Sequence, residues 1–447
     1  MALAEFDGAD EIRRAWLAGL APDPTLTVSE WADRHRILSS RAASEAGPYR
    51  TARTPFMRAI MDALSPSSPA QRVVLMKAAQ VGATEAGNNW IGFCMHRAPG
   101  PFLAVQPTVD LAKRLSQQRI DPLIEESPEL RALVMPSRSR DSGNTILGKR
   151  FPGGQLILTG ANSAVGLRSM PARWVFLDEV DAYPGDLEGE GDPIALAEAR
   201  TISFGHRSKM FLASTPTIKG LSRIEREYEM SDQRRYHVPC PHCGGLQWLK
   251  FERLRWEKGR PETARYVCEH CEEPIEERHK TAMMDEANGA CWMPTADPET
   301  LANAQAAGVV GFHISGLYSP LGWLSWEEIA RSWEQAVGND AAMKTLKNTV
   351  LGETWQERGE APDWQRLYER RENWQLGQAP EGVLVLTAGA DVQRDRIEID
   401  IWGWGRNLRS WLVDHVVLEG DTARPEIWND LTEFLNTTWP HDGGANM

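Results

Sequence analysis

QRVVLMKAAQVGATEAGNNW, residues 71–90, begins as a β-branched and apolar run, passes through a small-residue loop from Lys77 to Thr84, and continues as a helical pattern. Strand, loop and helix in that order read as a phosphate loop, because unpaired amides and the N-terminal end of a helix favour an anion. In the common form of such a loop the lysine directly precedes the hydroxyl residue. Here Ala83 holds that position, Lys77 stands at the first position of the loop, and Gly82 and Thr84 are kept. Two more apolar runs end in chemistry. VFLDEVD (175–181) closes on acidic residues, and FLASTPT (211–217) on small and hydroxyl residues. A phosphoryl-transfer enzyme puts its metal-holding and water-activating carboxylates at such a strand end. Lys77 would then add a mobile positive charge and Thr84 a hydroxyl ligand for Mg²⁺. Asp178 would hold that ion, directly or through water, and Glu179 would polarise the attacking water. Asp181 reads as structural, with either role open to it. The plain alternative is that Lys77 and Asp178 are solvated residues at strand ends.

The surrounding pattern alternates strands with helices. Helix Thr84 to His96 is followed by strand Phe102 to Gln106, helix Val109 to Ile120 and strand Gln155 to Thr159. Strand Trp174 to Asp178, a helix around Ile194 to Ile202 and strand Lys209 to Ser214 complete it. That order predicts an α/β fold with a mainly parallel sheet covered on both faces. Arg168, shortly before the acidic strand, is within reach of a γ-phosphate role but reads better as a DNA or surface contact.

Cys240 and Cys243 lie in PCPHCGG, and Cys268 and Cys271 in VCEHCEE. Each C-x-x-C presents two thiolates from one turn, and two such turns make a closed tetrahedral site. A structural Zn²⁺ in a zinc-ribbon-like insertion is expected, with catalytic zinc or a paired disulfide as alternatives. His242 and His270 are read as solvated, and Cys94 and Cys291 as buried thiols.

The 447 residues carry a net charge of −13, with 42% hydrophobic and 25% charged residues. That is a soluble globular composition. No apolar run approaches the ~18 residues that span a bilayer, and the N-terminus is acidic rather than a basic signal region. A cytosolic protein without a membrane partner is expected. The acidic total does not exclude DNA, for which a local basic groove suffices. Arg138, Arg140, Lys149 and Arg150 form one basic cluster, and Lys219, Arg223, Arg226, Arg234 and Arg235 another. Either they track a DNA backbone or they are solvated. Trp323, Trp326, Trp333, Trp355, Trp364, Trp374, Trp402 and Trp404 crowd the later half and read as core and interdomain packing, with base stacking as the alternative. After Gly382 a buried apolar strand is expected to end at Asp391, followed by a strand alternating with Arg396, Glu398 and Asp400. An aspartate closing the first strand of an antiparallel hairpin is how an RNase H-like nuclease begins.

SEWADRHRIL, GPYRTARTPF, KAAQVGAT, VFLDEVDAYP, LASTPT, the cysteine knuckles and GADVQRDRIEI together resemble the lambda-type (GpA-like) large terminase subunit of tailed phages. The displaced lysine belongs to that pattern. The resemblance implies an ATP-driven motor that moves double-stranded DNA into a procapsid in the bacterial host cytoplasm and cuts it. It implies Lys77 and Thr84 on phosphate and Mg²⁺, Asp178 on metal and Glu179 as catalytic glutamate. Ser214 and Thr215 would couple hydrolysis to DNA movement, Tyr49 and Arg50 would sit near adenine, and Asp391 would hold metal in the nuclease. Its partners would be the small terminase subunit at the N-terminal region, the portal at the C-terminal end of a complete chain, and other copies of itself.

The expected division is an N-terminal region over 1–47, an ATPase domain over 48–235 and a zinc module over 236–275. A helix-rich connection over 276–378 and a partial RNase H-like domain over 379–447 follow. Because the family's next catalytic aspartate lies beyond a stretch resembling WPHDGGANM, where this sequence stops, loss of cutting by truncation is also expected. Glu398 and Asp400 are not expected to replace it. A DNA helicase or remodelling ATPase, and a decayed prophage binding module, are the competing functions.

Overall fold

The structure is a computed structural model that describes residues 8–20, 25–41, 45–135, 143–168, 170–187, 189–356, 371, 374–444 and 446–447, without the side chains of 18–20. Arg138, Arg140 and Trp364 lie outside the described residues. The chain forms two compact units, Met1–Glu357 and Arg358–Met447.

The first unit is organised by a 10-stranded sheet. Its order is Leu246–Trp248, Arg234–Pro239, Val309–Ile314, Arg72–Lys77, Lys209–Ser214, Trp174–Asp178, Pro101–Gln106, Gly154–Gly160 and Gly148–Phe151, with Cys291–Met293 paired to Arg234–Pro239. Every neighbouring pair from Arg234–Pro239 to Gly154–Gly160 is parallel. The outer pairings are antiparallel.

Continuous apolar runs suit strands that are covered on both faces. Val73, Leu75, Phe176, Phe211 and Ala213 point into one core. Their alternating neighbours Val74, Met76, Val175, Leu177 and Leu212 point into the other. Phe176 and Phe211 stack at 5.1 Å, which locks the two chemistry-bearing strands in register. Helix Ala83–His96 lies on this sheet and starts at Gly82, whose φ of +95° a side-chain-bearing residue rarely adopts.

The stretch 276–378, expected to be helix-rich and connecting, supplies a central strand. Val309–Ile314 pairs along its length with Arg72–Lys77. Helix Trp326–Ala336 then packs on strand Arg260–Val267 of the cysteine-bearing insertion, with the rings of Trp326 and Tyr266 5.9 Å apart. That insertion holds a 3-stranded sheet, and its Tyr266, Cys268 and Ile275 belong to the same core as the main sheet.

The second unit is an antiparallel sheet in the order Val385–Val392, Arg396–Trp404, Ser410–Glu419, followed by helix Pro425–Leu435. Ile397, Ile399 and Ile401 are buried, as the alternation predicts. The first strand was expected to be buried and is instead largely exposed, with Val385 at 56% and Val392 at 48%. It has one strand neighbour, and the helix packs on Ser410–Glu419.

Candidate active site and metal centre

Parallel sheets bind ligands beyond the carboxyl ends of their strands, and there the three motifs meet. Lys77, at the end of its strand, is buried, and its Nζ lies 2.6 Å from Glu179 Oε1. Thr84 Oγ1 donates to Asp178 Oδ2 at 3.2 Å, and Gln106 Nε2 donates to the same oxygen at 3.2 Å. Asp178 Oδ1 is buried without a hydrogen-bond partner. Burial first, and then the neighbouring Glu179 charge, push the Asp178 carboxyl up to about 6. An orphaned, buried carboxylate oxygen beside a threonine hydroxyl fits a hard divalent cation, which takes oxygen ligands and offsets that charge.

Glu179 adopts the left-handed conformation, φ +54° and ψ 53°. Backbone of that kind in a non-glycine residue costs on the order of 1–3 kcal/mol and persists where its surroundings hold it. Its N–H donates to Ala213 O at 2.7 Å, and its Oε2 accepts from Thr215 N at 3.3 Å and lies 3.4 Å from Ser214 Oγ. Asp181 instead accepts from Ile224 N and Thr217 Oγ1, both at 2.8 Å, and so ties the acidic turn to the 211–217 segment.

The floor of the loop comes from a part of the chain with no motif. Ala78 N donates to Ile314 O at 2.8 Å and Ala79 N to Thr349 O at 2.7 Å. A phosphate must therefore be met further along, towards Gly82 and the helix start. Gly352 has φ +67°, and a Cβ there would stand 2.8 Å from Ala78 N and from Lys77 C. Its carbonyl accepts from His313 Nε2 at 2.9 Å, while His313 Nδ1 faces Arg235. Burial holds that imidazole's pKa well below its usual range, so it is neutral. Gly352→Ala is expected to cost on the order of 1–3 kcal/mol and to raise the KM for nucleotide several-fold. Thermal melting and steady-state kinetics check this, and an unchanged Tm with an unchanged KM would contradict it.

A cavity of about 690 Å³ opens from Gln80 and Gly82 of the loop. Tyr49, Arg50 and Arg53 form one side, and Trp323 contributes from far along the chain. Tyr49 is buried, and desolvation raises its phenol's pKa against hydrogen bonds to Thr54 and Asn89. The volume falls within the ~300–1,000 Å³ of small-molecule pockets.

The sulfur atoms of Cys240, Cys243, Cys268 and Cys271 all lie within 4.8 Å of one another, with Cys240–Cys271 and Cys243–Cys268 at 3.9 Å. Four thiolates at ~2.3 Å from one tetrahedral zinc stand roughly 3.8 Å apart, so the donor set is compatible with that ion. His242 N and His270 N donate to Cys240 and Cys268 sulfurs at 3.4 and 3.3 Å, orienting the thiols. The imidazoles are otherwise engaged, on Pro274 O and Leu246 O, and are not ligands. The cysteines are free of disulfides. Cys94 is buried as expected, whereas Cys291 is half-buried on its strand.

Residues 43–292 match the family description "Phage terminase large subunit gpA, ATPase domain", and residues 309–447 match "Terminase large subunit gpA, endonuclease domain". The chain belongs to the gpA family of phage terminase large subunits. It is 32% identical to the terminase large subunit of Escherichia phage lambda, over 97% of this chain and 69% of that protein. Its identity to the terminase large subunit of Enterobacteria phage P21 is 31%, over 99% of this chain and 70% of that protein. Among solved structures, the HK97 bacteriophage large terminase aligns with a TM-score of 0.48 at 12% identity, over 88% of this chain and 68% of that chain. A terminase large subunit is an ATPase enzyme of viral DNA packaging, which sets the helicase aside.

The endonuclease match corrects the expectation of a nuclease domain confined to 379–447 and left incomplete by truncation, since residues 309–447 match that domain. It begins at Val309, the strand that the structure builds into the ATPase sheet. Asp391 lies in exposed backbone directly opposite Glu398, and Asp400 lies opposite His415, with Asp400 Oδ1 2.7 Å from His415 Nδ1. Cross-strand partners share a face, so Asp391, Glu398, Asp400 and His415 lie on one face of this sheet. Alternation along the second strand puts Glu398 and Asp400 on one face, and the pairing of the two strands brings Asp391 to it. Among the described residues only the four cysteines bring three or more metal-holding groups together.

Several basic residues of this terminase are structural rather than free for DNA. Lys149 is buried and lies 2.7 Å from Asp121. Arg223 donates to Tyr183 O and Pro184 O at 2.8 and 2.6 Å, and Arg235 faces His313. Arg234 pairs with Asp232, whereas Arg168 pairs with Glu190 and stays exposed. Arg150, Lys219 and Arg226 are exposed. Of the tryptophans, Trp326 is core, whereas Trp402 and Trp404 are exposed at 37% and 44%. No helix among the described residues is long and apolar enough to cross a membrane.

Proposed function

We propose that this chain hydrolyses ATP at the phosphate loop and uses the energy to drive double-stranded DNA into a procapsid. The observation that carries this is the meeting of Lys77, Thr84, Asp178 and Glu179 at neighbouring parallel strand ends in a member of the terminase family. Lys77 pairs with Glu179. An arriving triphosphate competes for the lysine and frees the carboxylate. Glu179 then takes the proton of a water that attacks the γ-phosphorus in line, and ADP leaves. Mg²⁺, held by Thr84 and Asp178, supplies charge neutralisation on the phosphates when bound. Because Glu179 Oε2 also holds Thr215 N, loss of the γ-phosphate is felt at Ser214 and Thr215, where coupling to DNA movement begins.

On this reading the ATPase domain runs from residue 48 to Trp355, with the zinc module 236–275 inserted in it, and Tyr49 and Arg50 face the base. Structural Zn²⁺ sits on Cys240, Cys243, Cys268 and Cys271. Asp391 takes the metal of the endonuclease. The exposed apolar residues Ile12, Trp16 and Leu17 of helix Ala9–Leu20 recur at helical spacing and support an N-terminal contact with the small subunit. The portal, other copies of the chain and the host cytoplasm complete the setting. Mixing the chain with small subunit, procapsids and linear DNA tests the motor: DNA becomes resistant to added nuclease only with ATP and Mg²⁺. Brisk ATP turnover with no protected DNA would contradict it.

A further inference from the structure

Trp323 is part of the cavity that starts at the phosphate loop, yet it lies in the stretch matched to the endonuclease domain and belongs to no motif. Its ring is unusually well fixed for a half-buried side chain. The indole Nε1 donates to Glu45 Oε1 at 3.0 Å. Arg53 grips the same carboxylate, with Nε at 3.1 Å from each oxygen and Nη2 at 2.8 Å from Oε1. Arg53 Nη2 also donates to Leu321 O at 2.9 Å, and the guanidinium carbon stands 5.4 Å from the indole centroid. The turn that carries the ring is closed by Trp323 N on Pro320 O at 3.0 Å. Edge and backbone of the tryptophan are thus tied down, while the residue remains partly exposed along the cavity.

We infer that Trp323 is the stacking platform for the base of the bound nucleoside triphosphate. A nucleotide whose phosphates lie towards Gly82 and the helix start extends its sugar and base into the cavity that Gln80 and Gly82 share with Tyr49 and Trp323. A flat base there needs a flat partner, and tryptophan offers a large π face at low entropic cost because its rotamer is already set. Glu45 and Arg53 are positioning residues, acting through the ring. This inference rests on the phosphate loop being the nucleotide site, and the test separates the two.

Trp323→Ala, and Trp323→Leu in case alanine impairs folding, are compared with Trp323→Phe for the KM of ATP and for competitive inhibition by inorganic tripolyphosphate, which has phosphates and no base. Loss of one stacking contact is expected to raise the KM for ATP by about tenfold in the alanine and leucine variants. Phenylalanine keeps an aromatic face and stays within about threefold. The tripolyphosphate inhibition constant stays unchanged in all of them. An unchanged KM for ATP in the alanine and leucine variants overturns the inference, as does an equal weakening of ATP and tripolyphosphate, which marks a merely structural role. Failure of the underlying reading looks different: Lys77→Ala would then leave both ATP and tripolyphosphate binding as in the parent.

Discussion

Glu179→Gln is expected to bind ATP as tightly as the parent, or more tightly, and to turn it over at least about 10²-fold more slowly. The amide keeps the shape and one acceptor oxygen, so Thr215 N retains a partner. What it lacks is the negative charge. Lys77, now 2.6 Å from the Glu179 carboxylate, is held less firmly and is freer to meet phosphate. Water activation is lost because an amide does not accept the proton, and a 10²-fold loss corresponds to ~2.7 kcal/mol of transition-state stabilisation. Equilibrium binding and single-turnover phosphate release separate the two effects. Turnover near the parent value would remove Glu179 from the mechanism.

The second large effect is structural. Cys268→Ser is expected to abolish zinc binding and to lower the Tm of the first unit sharply. Structural zinc sites contribute apparent free energies of about 10–16 kcal/mol in isolated fingers, comparable with the total stability of a domain. The damage should spread because Cys268 is buried beside Gln247 and belongs to the same core as Tyr266, Ile275 and the main sheet. Tyr266 in turn meets Trp326 of the helix Trp326–Ala336. Metal analysis of protein purified without chelator, paired with calorimetry, reads both consequences. A parent chain without zinc, or a variant with unchanged melting, would contradict the assignment.

The sheet strands bearing Lys77, Asp178 and Ser214 were legible because each is a short apolar run ending in unusual polar residues, and local pattern suffices for that. The cysteine cluster was legible for the same reason. Val309–Ile314 was missed between helical segments, although Gly308 and the run VVGFHI carry a strand signal; its insertion beside Arg72–Lys77 is a tertiary event. Gln106 on Asp178, Gly352 under the loop and Trp323 at the cavity share that origin, since each acts through a partner distant in sequence. Lys149 and Arg223 looked like free basic residues because sequence does not reveal that Asp121 and the carbonyls of Tyr183 and Pro184 meet them. The first strand of the second unit reads as buried because its residues are apolar, but with one strand neighbour it stays exposed.

The most direct test is a crystal structure of the chain with Mg²⁺ and a non-hydrolysable ATP analogue. Lys77 is expected to leave Glu179 for the phosphates, the ion to lie against Thr84 Oγ1 and Asp178, and Glu179 to face the γ-phosphate. A nucleotide bound elsewhere while the 2.6 Å Lys77–Glu179 pair persists would contradict the assignment of this site.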